Sequence, residues 1–175
     1  MDRRTFIATA GGAMFAAPAG LRAQGQVAAR RIAFLSAFPR ADIDVAYGLI
    51  RAELEKLGWT DGRNIVLLEP RTAEGRYELL PSMAAEIVAQ APDLILSQTL
   101  PATRGLMQAT KSIPIVMYAV GNPVEHGIVA DYRKPGGNVT GSSYMADEYA
   151  RKLLQFLKEA APGLRSVAVF ANPSN

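Results

Sequence analysis

From Arg31 onward the apolar residues follow two alternating patterns. Short runs rich in aliphatic and β-branched residues fill 31–36 (Arg-Ile-Ala-Phe-Leu-Ser), 64–69, 93–97, 113–120 and 138–142. Bounded by turn formers, runs of this length and composition predict strands. Between them apolar residues return every three or four positions. Residues 43–57 carry Val45, Leu49, Leu54 and Leu57 among charges and stop at Gly58, and residues 76–90 carry Leu79, Leu80, Met83, Ile87 and Val88. That spacing draws one apolar stripe along a helix, and glycine supplies the left-handed residue that ends it. Residues 101–110 predict a third helix, opened by Pro101, whose fixed φ suits a first turn. Residues 123–130 predict a short helix. Residues 147–160 predict a further amphipathic one through Leu153, Leu154, Phe156 and Leu157, and Pro162-Gly163 end it. A last apolar run, 165–170, predicts a strand before the turn at 171–175.

Strands that alternate with helices and are apolar on both faces imply a parallel sheet covered on both sides. Right-handed crossovers make this an α/β, doubly wound, Rossmann-like lobe, here assigned to residues 24–142. In such sheets ligands sit beyond the carboxyl ends of the strands, near the point where strand order reverses. That directs attention to 36–40, 98–102 and 121–123. Residues 143–175 read as a hinge and the start of a second, truncated α/β lobe. Their strand is followed by a turn with no helix to cover it, so the chain is expected to be a fragment of something nearly twice as long.

The opening residues follow another logic. Met1 to Ala23 has a charged start with Arg3-Arg4, a mildly apolar stretch interrupted by Gly11-Gly12, and small residues near Ala23. This is the layout of an export signal of twin-arginine type, cleaved near Ala23 and leading to the periplasm; a spanning helix needs about 20 apolar residues. The signal changes the charge picture. The formal charge of the 175 residues is +3, and loss of three arginines and one aspartate with residues 1–23 brings it to +1. With no basic run longer than Arg30-Arg31 or Arg133-Lys134, the mature sequence offers no phosphate-tracking stripe, and no nucleic-acid partner is expected.

Composition removes several chemistries. The chain has no cysteine and one histidine, which excludes disulfides, thiolate metal sites and cysteine nucleophiles and leaves a histidine-based triad hard to build. No Gly-x-Gly-x-x-Gly follows any predicted strand, and Lys134-Pro-Gly-Gly137 lacks the spacing of a phosphate loop. His126 has no second ligand nearby and reads as a surface or capping residue rather than a metal ligand. Trp59, between Gly58 and Asp61-Gly62, reads as cover for a sheet edge. No metal or cofactor is expected.

Local sequence marks candidate binding residues. Ser36 ends the first strand, where its hydroxyl and the following N–H groups can meet a carboxylate; a plain turn residue is the other reading. Thr99-Leu100-Pro101-Ala102-Thr103 opens the third helix, whose first-turn N–H groups are unpaired and carry the positive end of the dipole, although Thr99 also suits a simple cap. Gly121-Asn122-Pro123 ends the fourth strand, and Asn172-Pro173 ends the run after it, where a mere turn is again the competing reading.

Taken in order, Leu57-Gly-Trp-Thr-Asp-Gly-Arg-Asn-Ile65, Leu80-Pro-Ser-Met-Ala-Ala-Glu-Ile-Val88, Ile113-Pro-Ile-Val116, Val120-Gly-Asn-Pro-Val124, Arg133-Lys-Pro-Gly-Gly-Asn-Val-Thr-Gly141 and Asn172-Pro173 resemble the ABC transporter substrate-binding proteins of the tryptophan/tyrosine-type group. The resemblance covers essentially all of 31–175. It implies the type I periplasmic binding protein fold, in which two lobes close on a small molecule. It also implies a non-enzymatic role, a monomer or weak dimer, and an ABC permease in the membrane as partner. Carried onto this chain, it makes Ser36, Thr99, Leu100, Ala102, Gly121, Asn122 and Asn172 the ligand-binding candidates. Three positions depart from the family pattern. Thr99 and Leu100 stand where a Gly-Thr pair is usual, so a hydroxyl contact is lost. Asn122 replaces a usual aspartate, which weakens recognition of an ammonium group. A sensory input domain of the same fold is the alternative function, and a Rossmann-like enzyme a third.

Overall fold

The protein, a computed structural model, is described over residues 29–170. Within them the chain forms β1 (Arg30–Ser36), α1 (Arg40–Lys56), β2 (Ile65–Leu67), β3 (Arg71–Thr72), a 3-10 turn (Tyr77–Leu79), α2 (Leu80–Ala89), β4 (Leu94–Gln98), α3 (Leu100–Ala109), β5 (Ile115–Gly121), β6 (Val139–Tyr144) and α4 (Ala146–Ala160). All strand pairs are parallel, and the sheet runs β2-β1-β4-β5-β6, with β3 also on β1. β2 and β3 share one flank of β1: β2 pairs with its first half and β3 with its last two residues. The break between them holds Pro70, which has no N–H to give to a ladder.

The strand order explains the layers. After β1 the chain steps one way to β2, and α1 in that crossover lies against the face that carries Phe34. Ile43 is fully buried there, and the Tyr47 ring meets Phe34 edge-on at 5.6 Å. After β3 the chain steps the other way, and its two crossover helices fall on the opposite face. There Ala33, Leu35, Ile95, Ile115 and Met117 from the strands pack with Leu80, Ala84 and Ile87 of α2 and Ala102 and Leu106 of α3. Direction reverses between β1 and β4, so this doubly wound sheet has its switch point at the carboxyl ends of Ser36 and Gln98. The predicted fold class is therefore the observed one.

Three local expectations are corrected. Residues 123–130 form no helix. His126 N–H donates to Asn122 O at 3.1 Å and Ile128 N–H to Pro123 O at 2.8 Å, but Gly127 takes a φ of 67°, so the segment is one closed turn that cannot propagate. Residues 165–170 pair with no strand among the described residues and lie exposed; their apolar pattern alone does not make a strand without a ladder to join. The second helix opens as a 3-10 turn and becomes α-helical only at Leu80, where Pro81 suits its first turn. The first 28 residues, with the predicted export signal, and residues 171–175, with Asn172, lie outside the described residues.

At the far side of the sheet β5 and β6 lose register between Met117 and Val120. Ala119 sits there with a φ of 54°, and Gly141 on β6 has a φ of 139°. A side chain at Gly141 would run into the Met117 backbone, so only glycine allows β6 this approach. The bulge turns the end of β5 toward the carboxyl edge and sets the position of the residues that follow it.

Candidate functional site

A cleft of about 170 Å³ opens at the carboxyl edge of β4, β5 and β6. Its walls come from Thr99 and Leu100 at the head of α3, Ala119, Gly121 and Asn122 at the end of β5, and Tyr144 and Ala146 at the junction of β6 with α4. Phe38, from the loop after β1, and His126, from the turn after β5, complete it.

Of the predicted residues, Thr99, Leu100, Gly121 and Asn122 meet in this cleft. Gly121 is needed for closeness: a Cβ there would stand 3.1 Å from Ala146 Cβ and 3.4 Å from the Tyr144 ring. Asn122 is 7% exposed with a φ of 44°, a conformation asparagine tolerates better than most residues. Its backbone N–H donates to Tyr144 O at 3.4 Å. Its side-chain amide has no hydrogen-bond partner among the described residues, so its donors and acceptor are open toward the cleft.

Thr99 does two jobs. Its Oγ1 accepts from Ala102 N–H at 3.4 Å, a long cap, while its backbone is held at φ 78° and ψ 149°, a region that suits glycine. The Thr99 carbonyl accepts from Thr103 N–H at 3.1 Å and from Thr103 Oγ1 at 2.9 Å, and the Thr103 hydroxyl lies 2.6 Å from Ser97 Oγ. Ser97 and Thr103 are fully buried. A chain of hydroxyls in the core thus anchors the strained residue at the cleft wall. With Ala102 N–H and Thr103 N–H engaged and no N–H on Pro101, Leu100 N–H is the donor of this helix turn that has no partner among the described residues.

Two predicted residues serve differently. Ser36 is fully buried, donates to Gln98 Oε1 at 3.1 Å and accepts from Phe38 N–H at 3.0 Å. Its hydroxyl is spent in bridging β1 to β4 across the switch point and in shaping the turn that carries Phe38. Ala102 is fully buried against the sheet, and its methyl belongs to the core. Phe38 falls in the segment 36–40 to which the sequence directed attention, though it was not named a binding candidate; sequence reasoning missed Ala119, His126, Tyr144 and Ala146. Tyr144 was within reach of it, because β6 runs two residues past the predicted strand end. His126 was also within reach, since a turn of four residues after Asn122 returns to the same edge. Ala119 carries no sequence signal for its left-handed backbone. Among the described residues no cluster of three His, Cys, Asp or Glu side chains is placed to hold a metal ion.

The sequence matches the family model described as ABC transporter substrate binding protein over residues 35–175. The chain belongs to the ABC transporter substrate-binding protein family. Among curated relatives of this family, a tyrosine-binding protein of Clostridioides difficile (strain R20291) is 38% identical over 128 residues, covering 73% of this chain and 36% of that protein. Among solved structures of substrate-binding proteins, the ABC domain from Streptococcus pneumonia in complex with L-Trp superimposes with a TM-score of 0.60 at 32% identity, covering 66% of this chain and 38% of that one. A ligand-free, open substrate binding protein with adhesive properties from Clostridium difficile gives a TM-score of 0.62 at 32% identity, over 77% and 44% of the two chains. The chain therefore spans 36% to 44% of the length of these relatives.

Proposed function

We propose that this chain forms one wall of a small-molecule cleft in an extracytoplasmic receptor of an ABC importer, that its ligand is an aromatic amino acid or close analogue, and that residues 1–23 direct its export. The observation that carries this reading is the Asn122 amide beside the Leu100 N–H of α3, both without a partner among the described residues, with the Phe38 and Tyr144 rings at the same cleft. Polar groups that fix a ligand's orientation next to apolar surface are the usual makeup of such sites. The relatives' names support the ligand class: one is a tyrosine-binding protein and another was solved with L-Trp. The family match supports transport and a membrane permease as partner.

In this reading a second α/β lobe, matching the part of the relatives that this chain does not cover, supplies the opposite wall. Binding then favours the closed form because the ligand touches both lobes only when they close. The test is calorimetry on a protein carrying both lobes against a panel of the twenty amino acids. Saturable binding of tryptophan or tyrosine with a Kd of about 10 μM or tighter is expected, and thermal unfolding of the same samples should rise with ligand concentration. Binding only of small aliphatic or cationic ligands, or no binding across the panel, would overturn the proposal.

A further inference from the structure

His126 lines the cleft from the turn after β5. It is held there firmly. Its N–H donates to Asn122 O at 3.1 Å, its carbonyl accepts from the Arg104 guanidinium of α3 at 3.4 Å, and Ile128 and Val129 just after it are buried in the core. Asn122 and His126 thus belong to one closed turn and face the same cleft.

The polar groups of this wall share one preference. Leu100 N–H carries the positive end of α3, and Asn122, nine-tenths buried, presents an amide with no partner among the described residues. The imidazole adds a third hydrogen-bonding group, and Arg104 places a guanidinium behind the same turn. Glu125 is exposed beside His126 but is not among the described residues that line the cleft. Hydrogen-bond donors converging on one wall fit an anionic group.

We propose that His126 is a specificity-determining residue that contacts the ligand, its imidazole and the Asn122 amide holding the ligand's carboxylate. This rests on the ligand reading given above. A residue that only shapes the turn would affect all ligands alike, whereas one that holds the carboxylate affects only ligands that have one.

The experiment crosses residue with ligand. Calorimetry on the full two-lobed protein compares L-tyrosine, desaminotyrosine, which keeps the carboxylate and lacks the ammonium, and tyramine, which lacks the carboxylate; L-tryptophan, indolepropionate and tryptamine form a parallel series. In the better-bound series His126→Ala is expected to weaken both carboxylate ligands about 10-fold and the amine less than about 2-fold, with His126→Gln recovering part of the loss through its amide. Equal weakening of all three ligands, or no weakening of any, overturns the role of His126 and leaves the ligand reading standing. Wild-type protein that binds neither series overturns both. Because His126 is exposed, the variants should unfold within about 0.5 kcal/mol of the wild type; a larger loss in His126→Ala makes His126→Gln the deciding variant.

Discussion

The hydroxyl pair Ser97 and Thr103 invites a double-mutant cycle, because the two partners are not equally dependent on each other. Thr103→Val keeps the shape of the side chain and removes its oxygen. The Thr99 carbonyl keeps its bond from Thr103 N–H, but Ser97 Oγ, fully buried, is left without a partner. An unsatisfied buried hydroxyl costs about 1–3 kcal/mol, and the added methyl returns up to about 0.8 kcal/mol, so a net loss of about 2 kcal/mol is expected. Ser97→Ala leaves Thr103 Oγ1 its bond to Thr99 O at 2.9 Å and should cost about 1 kcal/mol. The double variant removes the orphan along with its partner and should also cost about 1 kcal/mol, giving a coupling near −2 kcal/mol. Urea unfolding at 25 °C reads this as shifts in midpoint at constant m. Additive losses in the double variant would refute the claim that Ser97 depends on Thr103, and with it the view that this pair anchors Thr99.

The remaining predictions concern backbone strain, burial and charge. Thr99→Gly should be more stable than Thr99→Ala by about 2 kcal/mol, because glycine relieves the left-handed backbone and is also the better residue at a helix start; chemical denaturation of the two variants side by side decides it. Tyr118 has a buried hydroxyl with no partner among the described residues, and burial pushes its pKa up to about 12. Tyr118→Phe should therefore stabilise the fold by about 1 kcal/mol at neutral pH. The sign at high pH follows: the unfolded phenol ionises first, near pH 10, so the wild type loses stability as pH rises from about 10 toward 12, and Tyr118→Phe should lose less in a melting series over that range. Asp93 accepts from Arg31 N–H and from the Arg30 guanidinium, both at 2.8 Å, which hold its carboxyl below the usual range. Its contribution is present above the ordinary carboxylate value and is lost as pH falls through the lowered one. The gap in melting temperature between wild type and Asp93→Asn should thus close as pH drops below about 4; a gap unchanged at pH 2.5 would count against it.

How much the sequence reveals depends on the kind of physics involved. The succession of strands and helices follows from alternation of period, and the core residues Leu35, Ile95, Leu106 and Ile115 sit where apolar runs and stripes put them. Helix starts are less legible. Residues 40–42 precede the predicted start at 43 because they carry no apolar signal, yet Asp42 N–H and Ile43 N–H close a first turn on Pro39 O. Exposure misleads as well: Val45, Leu49 and Leu57 define the apolar pattern of α1 but are 68%, 66% and 74% exposed, while Ile43, Tyr47 and Leu54 turn toward the sheet. The stripe correctly implied a helix, but of its four apolar residues only Leu54 lies on the face toward the sheet.

The cleft is the least legible part, and for a physical reason. Five non-glycine residues among those described have positive φ, and Thr99, Ala119 and Asn122 of these line the cleft. Each residue's own preference is for a right-handed or extended backbone, so no local rule points to the bend. The bend is imposed from outside: by the Ser97–Thr103 pair below Thr99, by the β5–β6 register shift that only Gly141 permits, and by the turn closed between Asn122 and His126. These restraints come from three separate segments, and no window along the chain contains them together. Strain of this kind costs about 1–3 kcal/mol per residue and persists only where surrounding contacts overdetermine it. Its concentration at one edge therefore argues that this edge is held in shape for a ligand. Were it only a place where the sheet ends, relaxed turns would serve as well, and Thr99 would have no reason to hold a glycine's conformation.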